Sequence, residues 1–167
     1  MKKIYTLIIA IIALLTCQNS QAGENDWHLY LSPTYFVNPL ARHLLQGGQV
    51  GFEKELSRRR LVGFAIVARD PSLYSERSFK TAEYSLAGYY KPTLYLGKND
   101  NLYISFGGNI GSGFKGFTFG LNLGLEYEIS LRNRVKLFIA QDNLLVFRSE
   151  NLLVSGLSLG IKIPLTR

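Results

Sequence analysis

The sequence predicts an all-β protein, an eight-stranded antiparallel up-and-down transmembrane β-barrel, on three observations. Apolar residues alternate with small or polar ones at a period of two in segment after segment. The best of these segments runs far beyond the roughly five or six residues of a typical soluble strand. Ten Tyr, ten Phe and sixteen Gly among 167 residues supply aromatic girdles, strands and tight turns rather than helices. A mean hydropathy of +0.06 fits a soluble β domain as well as a small membrane barrel, so patterning has to decide between them.

The N-terminus reads as an export signal. Lys2 and Lys3 form a positive start, Ile4 to Leu15 an apolar run, and Ser20-Gln21-Ala22 a small-residue cleavage pattern. Residues 1–22 are therefore expected to be a signal peptide and 23–167 one outer-membrane barrel domain. The apolar run is short for a permanent membrane helix. The competing reading makes Cys17 a lipoprotein acylation site, although Thr16 stands where Gly, Ala or Ser is usual. Cleavage after Ala22 removes the single cysteine, and with it any disulfide or thiol chemistry. It also removes two lysines, reducing the formal net charge of +7 to +5. A surplus of that size suits phosphate-rich lipid head groups as well as nucleic acid.

Strands are expected at 27–37, 46–56, 61–69, 81–95, 102–112, 117–131, 135–147 and 152–165. In the first, Trp27, Leu29, Leu31 and Tyr35 oppose His28, Tyr30, Ser32 and Thr34. In the second, Val50 and Phe52 oppose Gly51, Glu53 and Glu55, which puts Lys54 on the apolar side near an interface. Val62, Phe64, Ile66 and Ala68 oppose Gly63, Ala65 and Arg69 in the third. Tyr84, Leu86 and Tyr90 oppose Glu83, Ser85 and Lys91 in the fourth, and Leu102, Ile104, Phe106 and Ile110 oppose Tyr103, Ser105, Gly107 and Asn109 in the fifth. The sixth has the clearest pattern: every odd position from Phe117 to Leu131 is apolar, and the even positions hold Thr118, Gly120, Asn122, Gly124, Glu126, Glu128 and Ser130. A tilted strand needs about 9–11 residues to cross the hydrocarbon core, a length this segment exceeds. In the seventh, Gln141, Asp142 and Asn143 interrupt the pattern, and a β-bulge is expected there. The eighth sets Leu153, Leu157, Leu159, Ile161, Ile163 and Leu165 against Gly156, Ser158, Gly160 and Lys162.

Polar turns at 57–60, 97–101 and 132–134 alternate with connections at 38–45, 70–80, 113–116 and 148–151, which are generally longer. Bacterial outer-membrane barrels have this asymmetry, with long loops outward and both termini in the periplasm. A secreted lipocalin-like barrel or β-sandwich would also alternate, with its apolar face turned inward. That arrangement leaves Gly107, Gly120, Gly124, Gly156 and Gly160 unexplained, whereas the tight lumen of an eight-stranded membrane barrel requires small residues.

The lumen-facing set holds Glu53, Glu55, Glu83, Glu126 and Glu128 together with Arg69, Lys136 and Lys162. Paired carboxylates could run a proton relay, but buried carboxylates need pairing or neutralisation, and both signs of charge are present. A structural salt-bridged plug is the expectation, with no catalytic, cofactor or metal role. The only histidines are His28 and His43. A lipid-modifying barrel enzyme needs a His with a Ser and a carboxylate. His28 shares a face with Ser32, yet four residues along a strand are about 13 Å apart, and His43 falls in a predicted loop. Gly107-Gly108 and Gly111-Ser112-Gly113 lack the Lys-Ser/Thr ending and helix of a nucleotide site. Arg58-Arg59-Arg60 reads as a solvated turn or lipid-phosphate contact. Trp27, Tyr89, Tyr90, Tyr95 and Tyr103 read as an interfacial girdle.

Ala82-Glu83-Tyr84 through Gly88-Tyr89-Tyr90, Asn101 through Gly108, and Phe119-Gly120 running into Glu126-Tyr127-Glu128 resemble the TraO family of Bacteroides-type conjugative transposons, as does the Leu131-Arg132-Asn133-Arg134 turn. The likeness covers most of residues 23–167 and rests on glycine and aromatic spacing. The chain departs from small barrels of this kind at Ile163-Pro164-Leu165-Thr166-Arg167, which lacks a terminal aromatic. The resemblance implies a small exported protein of the Gram-negative outer membrane, encoded with conjugation machinery. The expected function is thus a non-enzymatic barrel serving a conjugative DNA-transfer apparatus, with outer-membrane lipids and other envelope proteins of that machinery as partners and no direct nucleic-acid contact. The alternatives are a barrel enzyme acting on lipid A or phospholipid, and a surface or adhesion barrel.

Overall fold

A computed structural model describes residues 26–38, 43–57, 60–70, 82–113, 115–131, 134–149 and 152–165. The predicted signal, Cys17, Arg58, Arg59, residues 39–42 of the connection at 38–45 and residues 71–80 of that at 70–80 lie outside the described residues. The strands are β1 (Trp27–Asn38), β2 (His43–Ser57), β3 (Arg60–Asp70), β4 (Glu83–Leu96), β5 (Asp100–Gly113), β6 (Gly116–Ser130), β7 (Lys136–Phe147) and β8 (Leu153–Pro164). Each pairs antiparallel with the next, and β1 pairs with β8 to close the barrel, from His28↔Pro164 to Val37↔Ser155. Closure satisfies the backbone of every strand and leaves no sheet edge. The start of β1 and the end of β8, the termini of the described chain, share one end of the barrel with the turns after β2, β4 and β6.

Period two in the sequence becomes two faces in space. In β1 the even-numbered residues from His28 to Asn38 are buried and their neighbours face out. In β6 Thr118, Gly120, Gly124, Glu126 and Glu128 point into the lumen while Phe117, Leu121, Leu123 and Leu125 are exposed. The outer wall is apolar over most of its middle, with Ile66 58%, Leu121 62% and Leu159 64% exposed. An apolar surface that wraps the whole barrel is far larger than any patch a soluble monomer leaves open, whereas lipid tails would cover it. No helix among the described residues is long and apolar enough to cross a membrane; the strands are what have the length to do so.

The lumen is filled by pairing bulk with absence of bulk. A Cβ on Gly51 would come within 2.7 Å of the Tyr30 ring, and one on Gly156 within 2.6 Å of the Phe36 ring. Gly63 lies in the same way beneath Tyr89, and Gly160 beneath Phe138. Tyr30, Phe36, Tyr89 and Phe138 therefore each rest on a glycine of a neighbouring strand, and the wall could not accept a side chain there without moving a ring.

Two expectations about the backbone need correction. No bulge occurs in β7, whose register with β6 runs unbroken from Phe119↔Phe147 to Ser130↔Lys136. The polar run fits a regular strand because Asp142 turns inward while Gln141 and Asn143 turn outward and hydrogen-bond to each other. The register shifts lie instead between Glu55 and Ser57 in β2 and between Thr93 and Tyr95 in β4, close to the turns. His43, expected in a loop, is the first residue of β2 and pairs with Asn38.

Candidate functional site

The chemistry-bearing side chains meet inside the barrel, near the end that carries the termini. Lys91 on β4, Glu53 on β2, Lys162 on β8 and Glu126 on β6 form a closed ring of alternating charge. Lys162 Nζ lies 2.6 Å from Glu53 Oε2 and also bonds Glu126 Oε1, while Lys91 Nζ lies 2.6 Å from Glu126 Oε2 and also bonds Glu53 Oε1. Every second strand contributes one member, as inward side chains of a barrel stack in layers drawn from alternate strands. The ring continues through Glu128, 2.9 Å from Lys162 and 3.1 Å from Lys136, to Glu55, 3.4 Å from Lys136. Tyr30, Tyr89, Tyr103 and Phe138 cover this layer, with Lys91 Nζ 4.4 Å from the Tyr89 ring centre and Lys162 Nζ 5.1 Å from that of Phe138.

Toward the opposite end the lumen turns apolar, with Phe36, Leu45, Val67, Leu144, Val146 and Val154 packed together. Beyond them Arg69 and Glu83 form a separate pair at 3.6 Å, Arg69 lying over the Phe36 ring. The eight residues predicted as one network are therefore two groups. Arg69 and Glu83 pair with each other, while the other six are linked through Lys136, Lys162 and Lys91 toward the other end of the barrel. Lys91 belongs to the main ring and was absent from the predicted set, although its place opposite Tyr90 in the β4 alternation already turned it inward.

The space left among Tyr30, Phe36, Tyr89, Lys91, Glu126 and Asp142 is about 40 Å³, room for about one or two waters. Glutamates held by lysines in such a space act as crossbraces between strands that are not neighbours. His28 is buried in the lumen, facing Lys136, Lys162, Glu128 and Glu53. Ser32 donates instead to the Leu159 carbonyl at 3.2 Å, so the two residues do not assemble a nucleophile and its base. No group of three or more metal-ligating side chains occurs among the described residues.

The girdle assignment is corrected in part. Tyr103 is buried in the lumen, and Tyr89 lies there too beneath Lys91. Trp27, Tyr90 and Tyr95 do face outward. At the end carrying the termini they are joined by Tyr127, which donates to Asp100 at 3.0 Å, and by Lys54, 5.7 Å above the Trp27 ring. Tyr35 and Tyr84 face outward near the other end. Parity alone separates the two sets, since Tyr89 and Tyr103 lie on the inward positions of their strands.

No family model matches this chain, and no curated protein matches it significantly. Solved structures do match. Neisserial surface protein A superposes with a TM-score of 0.61 at 10% identity, over 86% of this chain and 99% of that one. Ail, the attachment invasion locus protein of Yersinia pestis, gives 0.52 at 11% identity, over 86% and 99%. A de novo designed transmembrane β-barrel gives 0.61 at 9% identity, over 87% and 100%. The fold is that of an outer-membrane eight-stranded barrel.

Proposed function

We propose that the chain is exported to the outer membrane of a Gram-negative bacterium and serves there as a non-enzymatic component or accessory of a conjugative DNA-transfer apparatus. The observation that carries the membrane part is the apolar outer wall around a lumen closed by the Lys91–Glu53–Lys162–Glu126 ring. The space beside that ring is only about 40 Å³, too small for a substrate, and we assign the work to the rims, the loops and the wall. The resemblance to the TraO family supports conjugation as the process, through the glycine and aromatic spacing of β4, β5 and β6. A second reading, a surface or adhesion barrel, draws on the names of the fold relatives, one a surface protein and one an attachment protein.

The test is deletion of the gene in a donor strain, with transfer frequency and adhesion to host cells scored together and the envelope lipids profiled by mass spectrometry. Transfer should fall while lipids and adhesion stay constant. Unchanged transfer with lost adhesion would replace the first reading by the second, and an altered lipid profile would overturn both.

A further inference from the structure

Among the described residues the outer wall carries a polar cluster where lipid tails are expected. On β7, Gln141 and Asn143 face outward, and Ser155 on β8 faces outward beside them, paired in register with Asn143. Gln141 Nε2 donates to Asn143 Oδ1 at 2.8 Å and to Ser155 Oγ at 3.2 Å, and Ser155 Oγ donates to Asn143 Oδ1 at 2.9 Å. The neighbours on every side are apolar and outward: Ile139 and Leu145 along β7, Leu123 on β6, Leu157 on β8. Beside the cluster lies an open groove of about 560 Å³, walled by Phe106, Leu121, Leu123, Leu145 and Leu153, with Asn143 in its lining.

Polar side chains in hydrocarbon are costly and pair with partners when they can. The contacts within the cluster use both N–H groups of Gln141 and the hydroxyl proton of Ser155. They do not use Gln141 Oε1 or the N–H groups of Asn143. One side thus offers an acceptor and the other a donor, neutral and adjacent. Two copies inserted in the same direction and related by a two-fold axis along the membrane normal would satisfy both groups reciprocally, Asn143 of each donating to Gln141 of the other. An isologous contact of this kind needs a self-complementary patch, and a pair of primary amides is one.

We propose that this face of β7 and β8 is a lateral interface with a second copy of the chain, the cluster at its centre and the adjoining groove receiving the partner's aliphatic side chains. This rests on the reading that the barrel spans the outer membrane.

The experiment uses the full chain expressed into outer membranes in a Cys17→Ser background, with one added cysteine at Ser155→Cys or, as a control on the far wall, Ile66→Cys. Folding is followed in every sample by heat-modifiable electrophoretic mobility. Mild oxidation should link Ser155→Cys into a dimer and leave Ile66→Cys monomeric. Gln141→Leu with Asn143→Leu should keep the folded mobility and weaken dimerisation in nanodisc-reconstituted protein by about tenfold or more. Folded protein that stays monomeric, equal linking at both cysteines, or a dimer untouched by the leucine pair would overturn the proposal while leaving the membrane reading intact. Protein that never acquires the folded form in membranes would overturn both.

Discussion

Lys162→Met tests whether the lumen ring carries the stability of the barrel. Lys162 is 1% exposed and touches three carboxylates: Glu53 at 2.6 Å, Glu128 at 2.9 Å, and Glu126. Removing one partner of a buried pair costs about 3–5 kcal/mol, because an uncompensated charge stays behind. The loss should not multiply by three. Glu53 and Glu126 keep Lys91, and Glu128 keeps Lys136, so each carboxylate retains a cation. The expected destabilisation is therefore near the lower end, about 3 kcal/mol, read as the shift in urea midpoint for folding into phospholipid vesicles at constant slope. Adding Glu126→Gln removes one of the two carboxylates left sharing Lys91, and a coupling of about 1–3 kcal/mol between the two substitutions should appear. Raising salt should change little, since the ring lies away from bulk ions. Lys54→Met, on the outer wall over Trp27, should stay within about 0.5 kcal/mol of the parent. A loss below about 1 kcal/mol for Lys162→Met would refute the buried-ring reasoning and put water, not protein, around these carboxylates.

Three further outcomes follow from the two faces. Leu123→Arg places a charge on the lipid side of β6 and should lose about 2–4 kcal/mol in the same vesicle titration, whereas Asn122→Arg, one residue earlier, should fail through crowding against Gly107 in the lumen. Gly160→Val drives a side chain into the Phe138 ring and should cost about 1–3 kcal/mol or block folding; the paired change Gly160→Val with Phe138→Ala should fold better than Gly160→Val alone. Replacing His28 and His43 together by Gln removes every imidazole and should leave envelope lipids and transfer frequency unchanged. A general base contributes about 10²–10⁴-fold to rate, so a lipid change made by the parent and lost in this variant would establish an enzyme.

Strand number, faces and approximate bounds could be read from the sequence because each depends only on alternation along one segment. Glu53, Arg69, Glu83, Glu126, Glu128, Lys136 and Lys162 are buried in the lumen, half-buried Glu55 reaches Lys136, and Gly107, Gly120, Gly124, Gly156 and Gly160 lie beside larger neighbours. What parity could not supply is depth. Arg69 and Glu83 share the inward face with Glu53 and Lys162 but sit at the other end of the barrel, and only the strand register, with β2 and β3 aligned Gln46↔Asp70 to Ser57↔Arg60, separates them. Lys91 was placed on the correct face yet left out, because a single lysine on β4 has no nearby carboxylate in sequence. Its partners Glu53 and Glu126 come from β2 and β6. In β7 the error ran the other way. Three consecutive polar residues looked like a broken strand, but alternation persists when polar side chains occupy both faces, and the outward pair find partners in each other and in Ser155.

A braced lumen makes the wall independent of its loops, and that separates where the protein folds from where it acts. β3 and β4 stay paired up to Arg69↔Glu83, so their ladder is continuous to the point where the connection leaves it. Replacing 72–80 by a Gly-Ser linker of equal length should then leave the urea midpoint almost unmoved, since the entropy of closing a flexible loop depends on its length, which is unchanged. The segment it deletes holds Leu73, Tyr74, Glu76, Arg77 and Phe79, a mixture of aromatic and charged groups suited to protein contact. If the working surface is this connection, transfer frequency or adhesion should fall to the level of the gene deletion while the folded barrel persists in the outer membrane. If the linker variant transfers and adheres like the parent, the long connection is not the working surface, and the amide cluster on β7 and β8 becomes the place to look for the partner.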